Sequence, residues 1–145
     1  MEFSSSAFAM GEAVPRRHSC EGEDVSPPLA WGAVPGDAVS LALIVDDPDA
    51  PVGTFTHWLA WGINPHGGGL PEGERAPREG RNDFREIGYR GPCPPRGHGS
   101  HRYFFRLYAL AREPAVPSGA SRGDLERAIE GNVLAVAELV GTYER

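Results

Sequence analysis

The sequence predicts a mainly β protein with a single domain over residues 1–145. Three runs have the length and the apolar content of strands: residues 38–45, 54–63 and 101–110. The 145 residues also include 19 glycines and 14 prolines, which favour turns and interrupt helices. Together these features indicate many strands and loops, little helix, and a chain long enough to bury one sizeable core.

The first 38 residues show little regular pattern. Phe3 and Phe8 can anchor a short edge strand near the N-terminus. Residues 26–28 are Ser-Pro-Pro and must be extended, because proline restricts both its own backbone and that of its predecessor. Leu29 and Trp31 lie two residues apart on one face of this extended run, so we expect both to enter the core.

Residues 38–45 form a continuous apolar run that predicts a buried central strand. The run ends in three acidic residues, Asp46, Asp47 and Asp49, which the neighbouring prolines hold in set directions. Carboxylates at the end of a buried strand require solvent or a partner. This segment is therefore either a solvated turn or part of a site.

Residues 54–63 predict the next strand, which is rich in aromatic side chains. Strict alternation divides its side chains between two faces: Phe55, His57, Leu59 and Trp61 on one, Thr56, Trp58 and Ala60 on the other. A histidine in such a strand is more often a hydrogen-bonded core residue than a ligand contact. His57 is nevertheless of interest because it follows the acidic residues by one short loop.

Residues 64–100 contain no convincing helix or strand. A loop of this length in a compact domain is usually functional or disordered, and its aromatic residues and prolines favour an ordered loop. The loop leads into the strand at 101–110, so His101 and Tyr103 stand where a stiff loop meets a rigid strand. Binding and chemistry are concentrated at such junctions.

The C-terminal part of the sequence predicts one helix and one strand. Residues 121–124 have the pattern of a helix start, and apolar residues at helical spacing follow up to Ile129. Gly131 interrupts or ends this helix. Residues 132–138 predict a further helical turn, and residues 139–143 predict a final strand.

Composition and charge exclude several classes of function. The net charge of −6 argues against nonspecific binding to nucleic acid or to an anionic membrane. No apolar window is long enough for a transmembrane helix, and the N-terminus lacks the basic start of a signal peptide, so we expect a cytoplasmic location. Cys20 and Cys93 match no zinc spacing and are expected to be reduced, although both lie in Pro/Gly-rich loops and could approach one another.

Three motifs stand in a fixed order along the chain: CEGEDVSPPLAW, then DDPDAP followed by THW, then GPCPPRGHGSHRYFFRLYAL. Together they resemble the phosphatidylethanolamine-binding protein family, also called Raf kinase inhibitor-like proteins, in its bacterial and archaeal branch. The resemblance extends over essentially the whole chain. It implies a Greek-key antiparallel β-sandwich, in which a large sheet packs on a smaller one, with one or two short helices.

The resemblance also implies a small anion-binding cavity at one edge of the fold. Matching the motifs residue by residue assigns this set to the cavity: Asp47, Asp49, His57, Cys93, Pro94, His101 and Tyr103. Cys93 stands where eukaryotic members carry glycine. Their C-terminal helix has no counterpart after Arg145, so we expect a more open site. Arg102 lies on the opposite strand face from its neighbours and is expected to form a structural ion pair.

The residues of this set favour recognition of a small phosphorylated or anionic ligand. Imidazole N–H and phenol O–H groups donate hydrogen bonds to phosphate-type oxygens. We expect Asp47 to hydrogen-bond a histidine and favour its imidazolium form. Asp49 is left open as a partner for the cationic end of a zwitterion such as phosphoethanolamine.

Two other classes of function remain open from the sequence. An enzyme is the weaker one, because no nucleophile elbow, zinc-protease motif or phosphate-binding loop is present, and we expect neither a metal nor a cofactor. Cys93 could act as a nucleophile if a histidine lowers its pKa. The other alternative is inhibition of a protease or kinase through protein–protein contact. A homodimer is also open, and the physiological ligand cannot be identified from the sequence.

Overall fold

The structure is a computed structural model that describes residues 1–145. It contains eight strands, one α-helix and a short 3₁₀ turn at Arg16–His18. The strands are β1 (Glu2–Ser4), β2 (Leu29–Gly32), β3 (Ser40–Asp47), β4 (Phe55–Ile63), β5 (Gly69–Leu70), β6 (Arg78–Glu79), β7 (His101–Leu110) and β8 (Val133–Tyr143). The helix α1 spans Arg122–Ile129. No helix is long and apolar enough to cross a membrane.

The strands form two antiparallel sheets of unequal size. The large sheet has the order β6-β4-β3-β7-β8, and the small sheet has the order β1-β2-β5. All eight residues of the central strand β3 are buried. The mainly β fold, with a large sheet, a smaller sheet and one α-helix, is as predicted.

Both faces of the large sheet are covered, which explains why β3 is a continuous apolar run. One face packs against the small sheet, through Leu29 and Trp31 of β2. The other face packs against α1, through Leu125 and Ile129. The predicted inward position of Leu29 and Trp31 is confirmed, since both are buried while Ala30 between them is exposed.

The predicted strict alternation of β4 is wrong because the strand contains a β-bulge. Trp58 pairs with Val45, but Thr56 pairs with Asp46, so β4 has one extra residue, His57. The bulge shifts the alternation. Trp58 belongs to the core between the sheets, together with Tyr103. Leu59 and Trp61 belong to the core under the helix, on the opposite face from His57.

The C-terminal region is part helix and part long strand. The helix start is as predicted, since the Ser121 side chain accepts a hydrogen bond from the Asp124 backbone N–H at 3.1 Å. The predicted helical turn at 132–138 is wrong. Residues 133–138 belong to β8, which pairs with β7 over its whole length, and this tertiary pairing outweighs their local helical pattern. Residues 64–100 are mostly loop, apart from the short strands β5 and β6.

Candidate functional site

A cavity of about 260 Å³ lies at one end of the large sheet. Its lining includes six of the seven residues predicted for the site: Asp47, His57, Cys93, Pro94, His101 and Tyr103. The remaining lining residues are mostly apolar: Ala50, Pro51, Val52, Phe55, Phe84 and Pro95. Drug-sized ligands occupy pockets of about 300–1,000 Å³, so this cavity suits a smaller ligand.

The register of three neighbouring strands brings the polar residues together. Asp47 is the last residue of β3, and it pairs with Phe55 at the start of β4. On the other side of β3, Asp46 pairs with Phe104, so the beginning of β7 lies beside the end of β3. The cavity therefore forms where the two neighbours of the central strand begin, and rigid backbone positions its side chains.

Asp47 and His101 form a buried pair. His101 Nδ1 lies 2.7 Å from Asp47 Oδ2, and the two residues are 2% and 3% exposed, respectively. The other oxygen of Asp47 accepts a hydrogen bond from the Asp49 backbone N–H at 2.8 Å. A carboxylate accepts, so His101 Nδ1 carries a proton and the ring orientation is fixed. The hydrogen bond expected between Asp47 and a histidine is present.

The ring nitrogens of His57 have different hydrogen-bond partners from those of His101. Its Nδ1 lies 2.8 Å from the Arg90 carbonyl oxygen, which can only accept, so Nδ1 carries the proton. Burial lowers the pKa of His57, although the Arg90 carbonyl and the Asp47 carboxylate act in the opposite direction. The ring is therefore neutral at neutral pH, and its Nε2 offers a lone pair without a protein partner.

Tyr103 supplies a donor that makes no full hydrogen bond inside the protein. The residue is 1% exposed, and its hydroxyl makes no hydrogen bond of normal distance and angle, although the Asp47 carboxylate lies close enough to interact with it. Burial raises the pKa of Tyr103, and the negative charge of Asp47 raises it further, so the hydroxyl stays protonated. The ring centroids of His57 and Tyr103 are 5.3 Å apart, so both side chains are close enough to contact one small ligand.

Asp49 is not part of the cavity, contrary to the prediction. Its carboxylate accepts two side-chain hydrogen bonds from Arg102, at 2.9 and 2.8 Å, and one from the Arg102 backbone N–H at 2.9 Å. The side-chain hydrogen bond from Arg102 lowers the pKa of Asp49 to about 2. Arg102 thus has the ion-pair role expected for it. Because this pair lies on the outer face of β7, it removes Asp49 from the site.

The two cysteines are joined, so the prediction of two free thiols is wrong for this structure. Cys20 and Cys93 form a disulfide across a Cα–Cα distance of 5.4 Å. The surrounding backbone already holds them close, since the Cys20 N–H donates to the Pro92 carbonyl at 3.1 Å. The cavity is therefore lined by a disulfide-bonded cysteine and not by one with a free thiol.

Glycine allows the close approach between these two loops. A Cβ atom on Gly91 would lie 1.9 Å from the His18 carbonyl oxygen, so no larger residue fits there. The Gly91 N–H donates to Asp24 Oδ1 at 2.7 Å, and the Tyr89 hydroxyl donates to the His18 carbonyl at 2.6 Å. Residues 16–24 consequently support the loop that carries Cys93 and Pro94.

Besides the aliphatic lining residues, three aromatic side chains at the site were not predicted from the sequence. Phe55 and Phe84 form an aromatic wall, with ring centroids 4.8 Å apart, next to His57. His98 lies against His101, with His98 Nδ1 at 2.6 Å from His101 Nε2. The feature of the sequence that marks His98 is its position between Gly97 and Gly99. The structure contains no group of three or more His, Cys, Asp or Glu side chains arranged to hold a metal ion.

Comparison with known proteins identifies the family. The sequence profile described as phosphatidylethanolamine-binding protein matches residues 4–144. A UPF0098 protein of Pyrococcus horikoshii is 51% identical over 150 residues, covering 97% of this chain and 75% of that protein. A relative in Mycobacterium tuberculosis, described as a candidate lipoprotein named LppC, is 42% identical over 147 residues, covering 99% of this chain and 72% of that protein.

A solved structure agrees with the sequence comparisons. A crystal structure from Chlamydia trachomatis, described as a candidate homologue of phosphatidylethanolamine-binding protein, superposes with a TM-score of 0.94 at 40% identity. The superposition covers 99% of this chain and 96% of the other. The profile match over nearly all residues, together with the relatives and this fold, shows that the chain belongs to the phosphatidylethanolamine-binding protein family.

Proposed function

We propose that the protein binds a small oxyanion of the phosphate type, either free or as the headgroup of a larger molecule, in the cavity at the end of β3. The observation that carries the proposal is the buried hydroxyl of Tyr103, a residue that lines the cavity, because this hydroxyl makes no hydrogen bond of normal geometry within the protein. Buried polar groups in native proteins are almost always hydrogen-bonded. A ligand oxygen at this point supplies the missing acceptor.

The protonation states favour an oxyanion that keeps a proton. Neutral His57 offers a lone pair at Nε2, whereas Tyr103 offers an O–H group. A hydrogen phosphate ion, or the monoanion of a phosphate monoester, can donate to the first and accept from the second. The nearby Asp47 carboxylate is shared between His101 and the Asp49 backbone, which reduces its repulsion of an anion.

The site favours binding of phosphate itself over recognition of a zwitterion. Asp49 was left open by the sequence as a partner for a cationic group, but its carboxylate is hydrogen-bonded to Arg102. Asp47 is occupied by His101. Phosphate and phosphoethanolamine should therefore bind with similar affinity. A strong preference for phosphoethanolamine that is lost in Asp49→Asn would show that Asp49 leaves Arg102 to contact the ligand.

The proposal is binding without turnover. Cys93, the strongest nucleophile near the site, has its sulfur in the disulfide to Cys20 and cannot attack a substrate while that bond persists. Incubation with p-nitrophenyl phosphate should release no p-nitrophenol. Hydrolysis that disappears in His57→Ala would contradict this part of the proposal. Inhibition of a protease or kinase and a homodimer stay open alternatives, and the cytoplasmic location stays a prediction.

A tyrosine-to-phenylalanine pair tests the binding site directly. Tyr103→Phe removes only the unpartnered hydroxyl, so we expect phosphate affinity to fall about 10- to 100-fold, the effect of losing a hydrogen bond to a charged group. The free energy of unfolding should not fall, because the variant also removes the cost of burying a hydroxyl without a full hydrogen bond. Calorimetric titration with sodium phosphate measures the affinity.

Tyr108→Phe is the matched control. Tyr108 lies on the same strand but packs beside the helix-side core, away from the cavity. Its substitution should leave the phosphate affinity of the protein unchanged. Equal affinities of the wild type and Tyr103→Phe would refute the proposed role of the hydroxyl, and no phosphate binding by the wild type at millimolar concentration would refute the function.

A further inference from the structure

Only one ring nitrogen of His101 is left to contact a ligand, and this nitrogen already contacts another histidine. Nδ1 of His101 donates to Asp47, which leaves Nε2 as its second hydrogen-bonding atom. His98 Nδ1 lies 2.6 Å from that atom, and the two rings meet edge to face with centroids 4.8 Å apart. An anion oxygen that is to bind His101 at Nε2 must take the position of the His98 ring nitrogen.

The His98 ring can leave this position without breaking any other side-chain hydrogen bond. Its contact with His101 is the only hydrogen bond that the His98 side chain makes. The residue is exposed, whereas His101 is buried. The neighbours of His98 are Gly97 and Gly99, with φ of +74° and +91°, so no flanking side chain blocks rotation of the His98 ring toward solvent. A change of side-chain rotamer therefore suffices to free Nε2 of His101.

We propose that His98 sets the affinity of the site by competing with the ligand for Nε2 of His101. The inference rests on the proposed anion-binding function and adds a determinant of affinity to it. In the absence of an anion, the polar nitrogen of His101 has a partner in His98. Binding of an anion exchanges this intramolecular hydrogen bond for one to the ligand, so the net affinity is lower than the cavity alone would give.

Removal of the competitor is the test. His98→Ala should bind inorganic phosphate about 2- to 10-fold more tightly than the wild type at pH 7.5, which is the factor corresponding to one net hydrogen bond. His66→Ala is the control, because His66 is also an exposed loop histidine but neither hydrogen-bonds His101 nor lines the cavity. It should match the wild type. Unchanged or weaker binding by His98→Ala would overturn the competition.

A second substitution separates this inference from the proposed function. His101→Ala removes the nitrogen for which His98 and the anion compete, so phosphate binding should be strongly reduced. Wild-type phosphate binding that survives unchanged in His101→Ala would overturn the inference alone, because the anion would then be held by Tyr103 and His57. Absence of phosphate binding in the wild type would overturn the proposed function, and the inference would fall with it.

Ring nitrogen chemical shifts give a readout that does not depend on affinity. In ¹⁵N spectra of the wild type, titration with phosphate should shift His98 Nδ1 toward the value of a solvent-exposed histidine, as its contact with His101 is lost. The same titration with phosphoethanolamine distinguishes a free anion from a headgroup as the displacing ligand. A His98 Nδ1 signal that stays constant while His101 Nε2 shifts would show that the ligand does not displace His98.

Discussion

At the scale of single residues, the site consists of groups with unlike proton chemistry. His57 is neutral because burial lowers its pKa, and it presents a lone pair. Tyr103 keeps its proton because burial raises its pKa. His101 is held by Asp47. The combination suits a ligand that can both donate and accept, which is a narrower requirement than a negative charge alone.

This proton chemistry predicts that the site distinguishes phosphate from sulfate as the pH rises. Sulfate carries no proton between pH 5.5 and pH 7.5, so it can form a hydrogen bond with His57 Nε2 only when that nitrogen is itself protonated. Because burial lowers the pKa of His57, the protonated form is rare at neutral pH and increases as the pH falls. Sulfate affinity should therefore strengthen from pH 7.5 to pH 5.5, by up to about tenfold per pH unit.

Phosphate affinity should change less over the same range, since hydrogen phosphate can donate its own proton to Nε2. Calorimetric titrations with the two ions at both pH values measure the difference. The His57→Gln variant is the control: its amide does not titrate, so the pH dependence that distinguishes sulfate from phosphate should be smaller. Identical pH profiles for the two ions in the wild type would contradict the neutral state assigned to His57.

At the scale of elements, the disulfide fastens a surface segment to the loop that forms one wall of the cavity. Cys20 and Cys93 are separated by 73 residues in sequence, so the bond closes a long loop. Hydrogen bonds from Tyr89 and Gly91 to the same segment act beside it. The disulfide and these hydrogen bonds therefore stabilise the cavity wall, and none of them belongs to the pairing of the strands.

Removal of the disulfide should lower the free energy of unfolding substantially. The chain-entropy relation for a loop of this length gives about 4 kcal/mol, since the unfolded chain gains the freedom that the cross-link denied it. Urea unfolding of the wild type and of the Cys20→Ser/Cys93→Ser variant measures the loss. Dithiothreitol should shift the wild-type midpoint toward that of the variant and leave the variant unchanged. A variant as stable as the wild type would contradict this role.

The elements also show where the sequence sufficed and where it did not. The strands predicted at 38–45, 54–63 and 101–110 are observed at 40–47, 55–63 and 101–110, so composition and length located all three, with the first shifted by two residues. The alternation in β4 failed because a bulge depends on cross-strand pairing, which a single strand does not encode. The helical turn predicted before Leu139 failed because local preference lost to pairing with β7.

At the scale of the whole molecule, the site follows from the order of the strands. β3 lies between β4 and β7, so Tyr103 meets Asp47 and His57 although it is far from both in sequence. The motifs predicted this convergence through the family resemblance. The outward position of Asp49 and the contact of His98 were not predictable, because both depend on the path of loops and on partners that sequence spacing does not fix.

The central claim is that a tetrahedral oxyanion binds between the end of β3 and the start of β7. The most direct measurement is the anomalous difference density at the arsenic edge for crystals soaked in arsenate, which keeps a proton near neutral pH as phosphate does. We predict one dominant peak in the cavity, with its oxygens within hydrogen-bond distance, about 2.5–3.2 Å, of the Tyr103 hydroxyl and His57 Nε2. Arsenic density only beside exposed arginines such as Arg96, with none in the cavity, would contradict the claim.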